Sequence, residues 1–308
     1  MGNNNSSLKR KGIKMELDKN VDYNATDLEN LGAETKLKCH MPSNDDAIDR
    51  VHMFHFFQRS LFQSDFSPPI EERLVRESCK VLDVGCGPGT WLLDLANKYE
   101  NSSFYGIDNN LAYPNEIKPG NLNFVRADVF DRFPFPDNKF DYAHQGLMRY
   151  TAKPEQWSFL ISEMIRVVKP GGYIELLATS RGEFKGTGPV LMKLHEAHFS
   201  YCLEKGIDTK TMPNLDKIIK LNPDTPIVNR DEKFFISGPN GGKIGMVYQD
   251  IHIGFHKSEA TTEILSPILG ISKEEYKTMI TKDLIEELKH TSPEYSLIRF
   301  WAKKINNN

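Results

Sequence analysis

Val81-Leu82-Asp83-Val84-Gly85-Cys86-Gly87-Pro88-Gly89-Thr90 is the stretch whose reading decides the fold. A short aliphatic run with a carboxylate in it reads as the end of a buried parallel strand. Three glycines at alternate positions follow, and an apolar helical pattern (Trp91, Leu92, Leu95) begins directly after them. Strand, tight loop and helix N-terminus together bring bare backbone N–H groups up to a ligand. Shortly after that helix, Phe104-Tyr105-Gly106-Ile107-Asp108 reads as a second strand that ends in an acid. A carboxylate there can accept hydrogen bonds from ribose hydroxyls. Loop and acid together predict an adenosine-containing cofactor.

Two cofactor classes use such an arrangement. The dinucleotide fingerprint G-x-G-x-x-G places a third glycine where the helix must pack closely. In this chain the spacing is Gly85-x-Gly87-x-Gly89, and Thr90 stands where that third glycine would be. Asp83 would face a diphosphate unfavourably, whereas it suits the ammonium group of an amino-acid tail. S-adenosylmethionine has such a tail, a sulfonium and no phosphate.

With these residues the chain resembles the class I S-adenosylmethionine-dependent methyltransferases. Asp83 to Gly89 match the first motif and Asp108 the ribose acid. Asn123-Phe124-Val125-Arg126-Ala127-Asp128-Val129 is similar to the third strand with its Asp–apolar pair. The Pro-rich loop Phe133–Lys139 leads into a fourth strand, Phe140–His144. Glu163 to Glu175 resemble the helix, Pro-Gly-Gly turn and fifth strand. The resemblance is motif by motif over 78–180. Within the class it is nearest to fungal stand-alone members that include regulators of secondary metabolism, through Asn44-Asp45-Asp46 and Asp49-Arg50-Val51-His52.

The resemblance implies an α/β fold: a doubly wound, mostly parallel seven-stranded sheet of Rossmann-like methyltransferase type with a helical lid insertion. It implies that Asp83 engages the cofactor's ammonium, that Asp108 with Asn109 binds the ribose, and that Asp128 with Val129 holds the adenine. Gly85, Cys86, Gly87 and Gly89 let the methionine moiety approach through their backbone, the Cys86 thiol being idle. His144 and Gln145, at the end of the fourth strand, are the catalytic candidates, as base or acceptor ligand. A role in supporting the cofactor's methionine end is the other reading of them. Tyr150 is a candidate pocket wall.

Composition narrows the class. A chain of 308 residues with 39% hydrophobic content can bury one large core. A net charge of -3 gives no electrostatic footprint for nucleic acid. No apolar run is long enough to span a membrane or to serve as a secretory signal. Cys39, Cys79, Cys86 and Cys202 have neither paired nor metal-ligand spacing. The expected location is cytoplasmic, with membrane association or the nucleus as alternatives.

Residues 1–36 are polar and Asn- and Lys-rich, and read as a disordered tail. The methyltransferase domain is expected over 37–308: a cap helix at about 44–63, a cofactor core at about 78–180, then lid and C-terminal strands at about 181–308. Val51, Phe54, His55 and Leu61 have helical spacing in the cap. Trp157, Leu160, Ile161, Met164 and Val168 form the stripe of a helix over 154–168, stopped by Lys169 and Pro170-Gly171-Gly172. Val190 to Cys202 and Leu215 to Leu221 read as lid helices. A strand returns near Glu232–Ile236, Ser272 and Glu275 cap a further helix, and Tyr295–Ala302 is the last strand, antiparallel beside the fifth by resemblance.

No metal site is expected. His195 and His198 are three apart, where a zinc-protease helix needs four. His252 and His256 have i,i+4 spacing, without a carboxylate or cysteine cluster beside them. Met1-Gly2-Asn3-Asn4-Asn5-Ser6 matches the N-myristoylation pattern, and Lys9, Arg10, Lys11 and Lys14 follow. An acyl chain on Gly2 with that basic cluster would suffice for peripheral membrane contact. The expected function is methyl transfer to a small-molecule acceptor. A protein acceptor, or a cofactor-binding regulator or scaffold with a protein partner, is the alternative.

Overall fold

The computed structural model describes residues 45–110, 112–114, 116–146, 148, 151–180 and 184–305. The tail over 1–36, Gly2, the basic cluster and Tyr150 lie outside the described residues. Seven strands form one sheet: Lys80–Val84 (β1), Ser103–Asp108 (β2), Leu122–Arg126 (β3), Phe140–Gln145 (β4), Val168–Ser180 (β5), Val228–Ile236 (β6) and Glu294–Lys303 (β7). Their spatial order is β3-β2-β1-β4-β5-β7-β6. The pairs β1–β2, β2–β3, β1–β4 and β4–β5 are parallel, and β7 runs antiparallel between β5 and β6. This is the doubly wound, mostly parallel sheet expected from the motifs. All six residues of β4 are buried, which is why its sequence shows no period of two.

Helices cover both faces. On one, Trp157, Leu160, Ile161 and Met164 of Pro154–Val167 pack on Ala143, Ile174, Leu176, Ile298 and Phe300. On the other, Trp91, Leu92 and Leu95 of Thr90–Lys98 and Leu74 of Glu71–Arg76 pack on Val81 and Tyr142. Each fully buried aliphatic contributes about 1.5–3 kcal/mol, so these two layers fix the sheet's faces. In chain order the helices are Asp45–Phe62 (α1), Glu71–Arg76 (α2), Thr90–Lys98 (α3) and Pro154–Val167 (α4). Then come Pro189–Glu204 (α5), Leu215–Lys220 (α6), Gly242–Lys257 (α7), Glu259–Leu269 (α8), Lys273–Thr278 (α9) and Leu284–His290 (α10).

Two local expectations are corrected. Val168 begins β5 and does not end α4; Pro170-Gly171-Gly172 lies inside β5, where the β4–β5 register shifts between Phe140 and Tyr142. A Cβ on Gly172 would meet the Asp141 carbonyl at 2.7 Å, so close backbone approach, not a free turn, needs that glycine. In α1 the buried face is Phe54, His55, Phe57, Gln58 and Phe62, while Val51 is 39% exposed. The helix capped by Ser272 and Glu275 forms as expected, with Tyr276, Ile280, Leu284 and Leu288 buried, and passes through a π-turn at Met279–Asp283. Helices α5 and α6 form the insertion between β5 and β6, and α7 to α10 form a second one between β6 and β7. Leu191 and Leu194 of α5 pack with Leu265, Tyr276, Ile280, Leu284 and Leu288, joining both insertions in one helical layer.

The sheet order reverses at β1, with β2 on one side and β4 on the other. Ligands bind outside the carboxyl ends of strands at such a point. The glycine loop, Asp108 and the His144-Gln145 pair all stand there.

Candidate functional site

The loop after β1 is shaped by its glycines. Gly85, Gly87 and Gly89 have φ of 70°, 53° and 75°, a region that residues with a Cβ enter at a cost. Gly85 N and Cys86 N both donate to the Ile107 carbonyl, at 2.8 and 3.1 Å, and so lash the loop to β2. Gly89 N closes a turn onto the Cys86 carbonyl at 2.9 Å, and Gly89 caps α3. A Cβ on Gly89 would strike the Phe124 ring at 2.5 Å; one on Gly87 would meet nothing within 4 Å. The Cys86 thiol is buried, and burial, with Asp83 and Asp108 nearby, pushes it well above the ordinary thiol range. It is therefore held protonated, and the residue serves through its backbone.

Asp108 meets this loop directly. Its Oδ2 accepts from Gly87 N and its Oδ1 from Asn110 N, each at 2.8 Å. Burial raises its pKa, while the N–H groups of Asn110, Gly87 and Asn109 hold the rise back. Asn109 thus contributes through its backbone. Asp128, after β3 at the same carboxyl end of the sheet, spends Oδ1 on Phe130 N at 2.9 Å and its carbonyl on Asp131 N, closing its own turn. Val129 is buried in the core beside it.

Strand register sets Asp83 beside His144, and Asp83 Oδ1 lies 2.8 Å from His144 Nδ1. The imidazole stacks on Trp91 with centroids 4.0 Å apart and planes 17° from parallel. Both partners are buried. One nitrogen on Asp83 and one face on an indole suit the supporting role for His144 better than acceptor chemistry. Gln145 is fully buried; its Nε2 donates to the Gly146 carbonyl and its Oε1 has no hydrogen-bond partner among the described residues.

Several contributors have no sequence motif. Trp91 follows from its place in the first turn after the glycine loop, once strand pairing puts His144 beside Asp83. Tyr113 stacks on Phe124 at 4.5 Å and 11°, and burial, with Cys86 and Asp108 close by, lifts its hydroxyl to about 12. A Cβ on Gly85 would touch Met148 Sδ at 3.0 Å, so Met148 packs onto the loop. His52 Nδ1 of α1 lies 2.8 Å from Thr90 Oγ1, which places the cap helix against the start of α3.

The remaining histidines belong to the helical layer. His252 and His256 meet Nε2 to Nε2 at 3.2 Å, His256 Nδ1 meets Tyr276 Oη at 3.2 Å, and His195 Nε2 meets Tyr295 Oη at 3.1 Å. Among the described residues no group of three or more His, Cys, Asp or Glu is placed to hold a metal, and no helix is long and apolar enough to cross a membrane. A groove of about 530 Å³ beside α1, lined by Phe56, Arg59, Ser64, Asp65, Glu71 and Lys98, includes none of the glycine-loop residues. Its cations are paired, Arg59 with Asp65 and Asp94, Lys98 with Asp65 and Glu71.

Residues 81–172 match the family model described as a methyltransferase domain. The chain carries a class I S-adenosylmethionine-dependent methyltransferase domain, with S-adenosylmethionine as the cofactor of that class. It resembles the fungal secondary metabolism regulator LAE1 of Cochliobolus heterostrophus, 32% identical over 141 residues, 44% of this chain and 43% of that protein. N-methyltransferase verN of Clonostachys rogersoniana is 27% identical over 164 residues, 52% of this chain and 55% of that one. The chain thus spans about half the length of these curated relatives. Among solved structures, phosphoethanolamine N-methyltransferase 2 of Haemonchus contortus in complex with S-adenosyl-L-methionine aligns with a TM-score of 0.47 at 17% identity, over 88% of this chain and 61% of that one.

Proposed function

We propose that this chain transfers a methyl group from S-adenosylmethionine to a small-molecule acceptor. The observation that carries the reading is the 2.8 Å hydrogen bond from the middle loop glycine, Gly87, to the carboxylate that ends β2. It joins a loop with room for a close ligand to an acid suited to ribose hydroxyls. The residues fit the cofactor: Gly87 has open space where a Cβ would stand, and the buried Gln145 Oε1 awaits a donor.

In this reading Asp108 accepts from the ribose, which compensates a half-buried carboxylate with neutral donors. Asp83, steadied by His144, faces the ammonium group. Asp128 and Val129 border the adenine. When bound, S-adenosylmethionine supplies an electrophilic methyl group that needs alignment with a nucleophile more than it needs acid–base help. The chain's part is to orient that end through Asp83 and to keep water out with α1 and the helical layer, which we read as the lid over the acceptor.

The test is transfer of labelled methyl from S-adenosylmethionine into fractionated extract, with Asp108→Ala as control. Label in a metabolite fraction that is lost in the variant is the expected result. Label in protein would reassign the acceptor, and no transfer by folded protein would remove the enzymatic reading.

A further inference from the structure

Two charged side chains to which no role has been given lie buried in β5 and β7, across β4 from Asp83. Glu175 of β5 is 0% exposed and Arg299 of β7 is 2% exposed, with Arg299 Nε 3.6 Å from Glu175 Oε1. A buried ion pair is a weak device for stability, since desolvation offsets much of the attraction. Their hydrogen bonds converge on one short segment. Arg299 donates through Nη1 to Ser64 Oγ at 2.9 Å and through Nη2 to the Ser64 carbonyl at 3.0 Å. Ser67 N donates to Glu175 Oε2 at 2.8 Å. The guanidinium also lies over the ring of Phe62, the last residue of α1, at 4.1 Å.

Between these anchors, the Asp65 carbonyl accepts from Trp91 Nε1 at 3.0 Å. Trp91 stacks on His144, and His144 holds Asp83. His144 is in turn the register neighbour of Glu175 on β5. The links from the ion pair to the cofactor acid are short, half-buried at Ser64 and Ser67 and buried at Trp91 and His144.

We propose that Glu175 and Arg299 are positioning residues for the methionine end of the cofactor. They fix Ser64–Ser67, that segment fixes the Trp91–His144 stack, and the stack sets the orientation of the Asp83 carboxylate. The inference rests on the reading of Asp83 as the ammonium ligand. Neither ion touches the cofactor in this scheme, so a distinctive signature follows. Loss of the pair should weaken ligands that carry the amino-acid tail and spare those that lack it.

The experiment is calorimetric titration of the full chain with S-adenosylhomocysteine, which has the tail, and with 5′-methylthioadenosine, which does not. One variant is Glu175→Gln/Arg299→Met, which leaves no lone ion behind. The other is Trp91→Phe, which keeps a ring against His144 and removes the indole N–H. Circular dichroism and thermal melts confirm that each is folded. S-adenosylhomocysteine should bind about tenfold more weakly to both variants, and 5′-methylthioadenosine within about twofold of wild type. Equal loss for both ligands, or unchanged preference in a folded variant, overturns the positioning role. Wild type that binds neither ligand removes the cofactor reading itself, and the positioning role falls with it.

Discussion

Alanine at Gly87 and at Gly89 should have opposite consequences, although both glycines have positive φ and stand two residues apart. Each substitution forces a Cβ into left-handed backbone, at about 1–2 kcal/mol. At Gly87 that is the whole structural cost, because the new methyl meets no protein atom within 4 Å. At Gly89 it would sit 2.5 and 2.8 Å from Phe124 ring carbons. That ring cannot easily retreat, being stacked against the buried Tyr113. Overpacking of this kind adds about 1–3 kcal/mol. Gly89→Ala should therefore lose about 2–5 kcal/mol and Gly87→Ala about 1–2. At about 2–4 °C per kcal/mol, the two melting points should separate by several degrees. Binding reverses the order. The Gly87 methyl stands beside the N–H that holds Asp108, so S-adenosylhomocysteine should bind at least about tenfold more weakly to a variant that remains folded. Thermal melts with calorimetric titration read both quantities. A Gly87→Ala protein that binds S-adenosylhomocysteine as wild type does, or that melts as low as Gly89→Ala, would refute the assignment of loop space to the ligand.

On the proposed ribose-binding role, Asp108 should set a pH dependence for binding. Its pKa is raised by burial, ribose donors favour the ionised form, and binding therefore lowers that pKa. Affinity should be level above the free-protein value and fall as pH drops through it, starting above the ordinary 3.8; calorimetry in buffers of different ionisation enthalpy should detect proton release in that window. Asp141 bears on stability instead. Burial alone would raise its pKa, but Lys169 and the Lys80 N–H, with Arg73, bring it below the ordinary value. Its stabilisation is thus present above about 3.8 and lost as pH falls through the depressed folded value. Asp141→Asn should cost about 2 kcal/mol at neutral pH, discounted because Arg73 and Lys169 are partly exposed; urea melts should show the gap to wild type closing in acid. Ser272→Ala, which removes the acceptor of Glu275 N at the start of α9, should cost about 1 kcal/mol in the same melts without altering ligand binding.

The parts of this molecule legible in its sequence are those whose contacts are close along the chain. The β1–loop–α3 unit could be read because loop shape is set by three glycines within five residues. Asp108 could be read because it ends the very next strand. Asp128 was legible as an acid at a strand end, but its turn onto Phe130 and Asp131 takes part of its hydrogen-bonding capacity in a way no motif announces. The exposed Val51 and the start of β5 at Val168 show the limit of periodicity: a helical stripe does not reveal which neighbour arrives to cover it.

The polar machinery behind the site was hidden for the same reason, and its hidden character is informative. Arg299 and Ser64 are 235 residues apart, and Glu175 and Ser67 are 108 apart. Glu175 reads as one polar residue in a strand after a double glycine, and Arg299 as one in the last strand; nothing local tells that they share a face. Only the insertion of β7 beside β5 makes them partners. The antiparallel seventh strand therefore does more than extend the sheet. By carrying Arg299 to within reach of the segment that ends the cap helix, it lets the last strand of the chain bear on Asp83, an acid in the first. A fold that closes in this way links α1, the C-terminal strands and the end of β1, so substitutions far from the glycine loop should act on the amino-acid tail of the ligand before they act on its nucleoside.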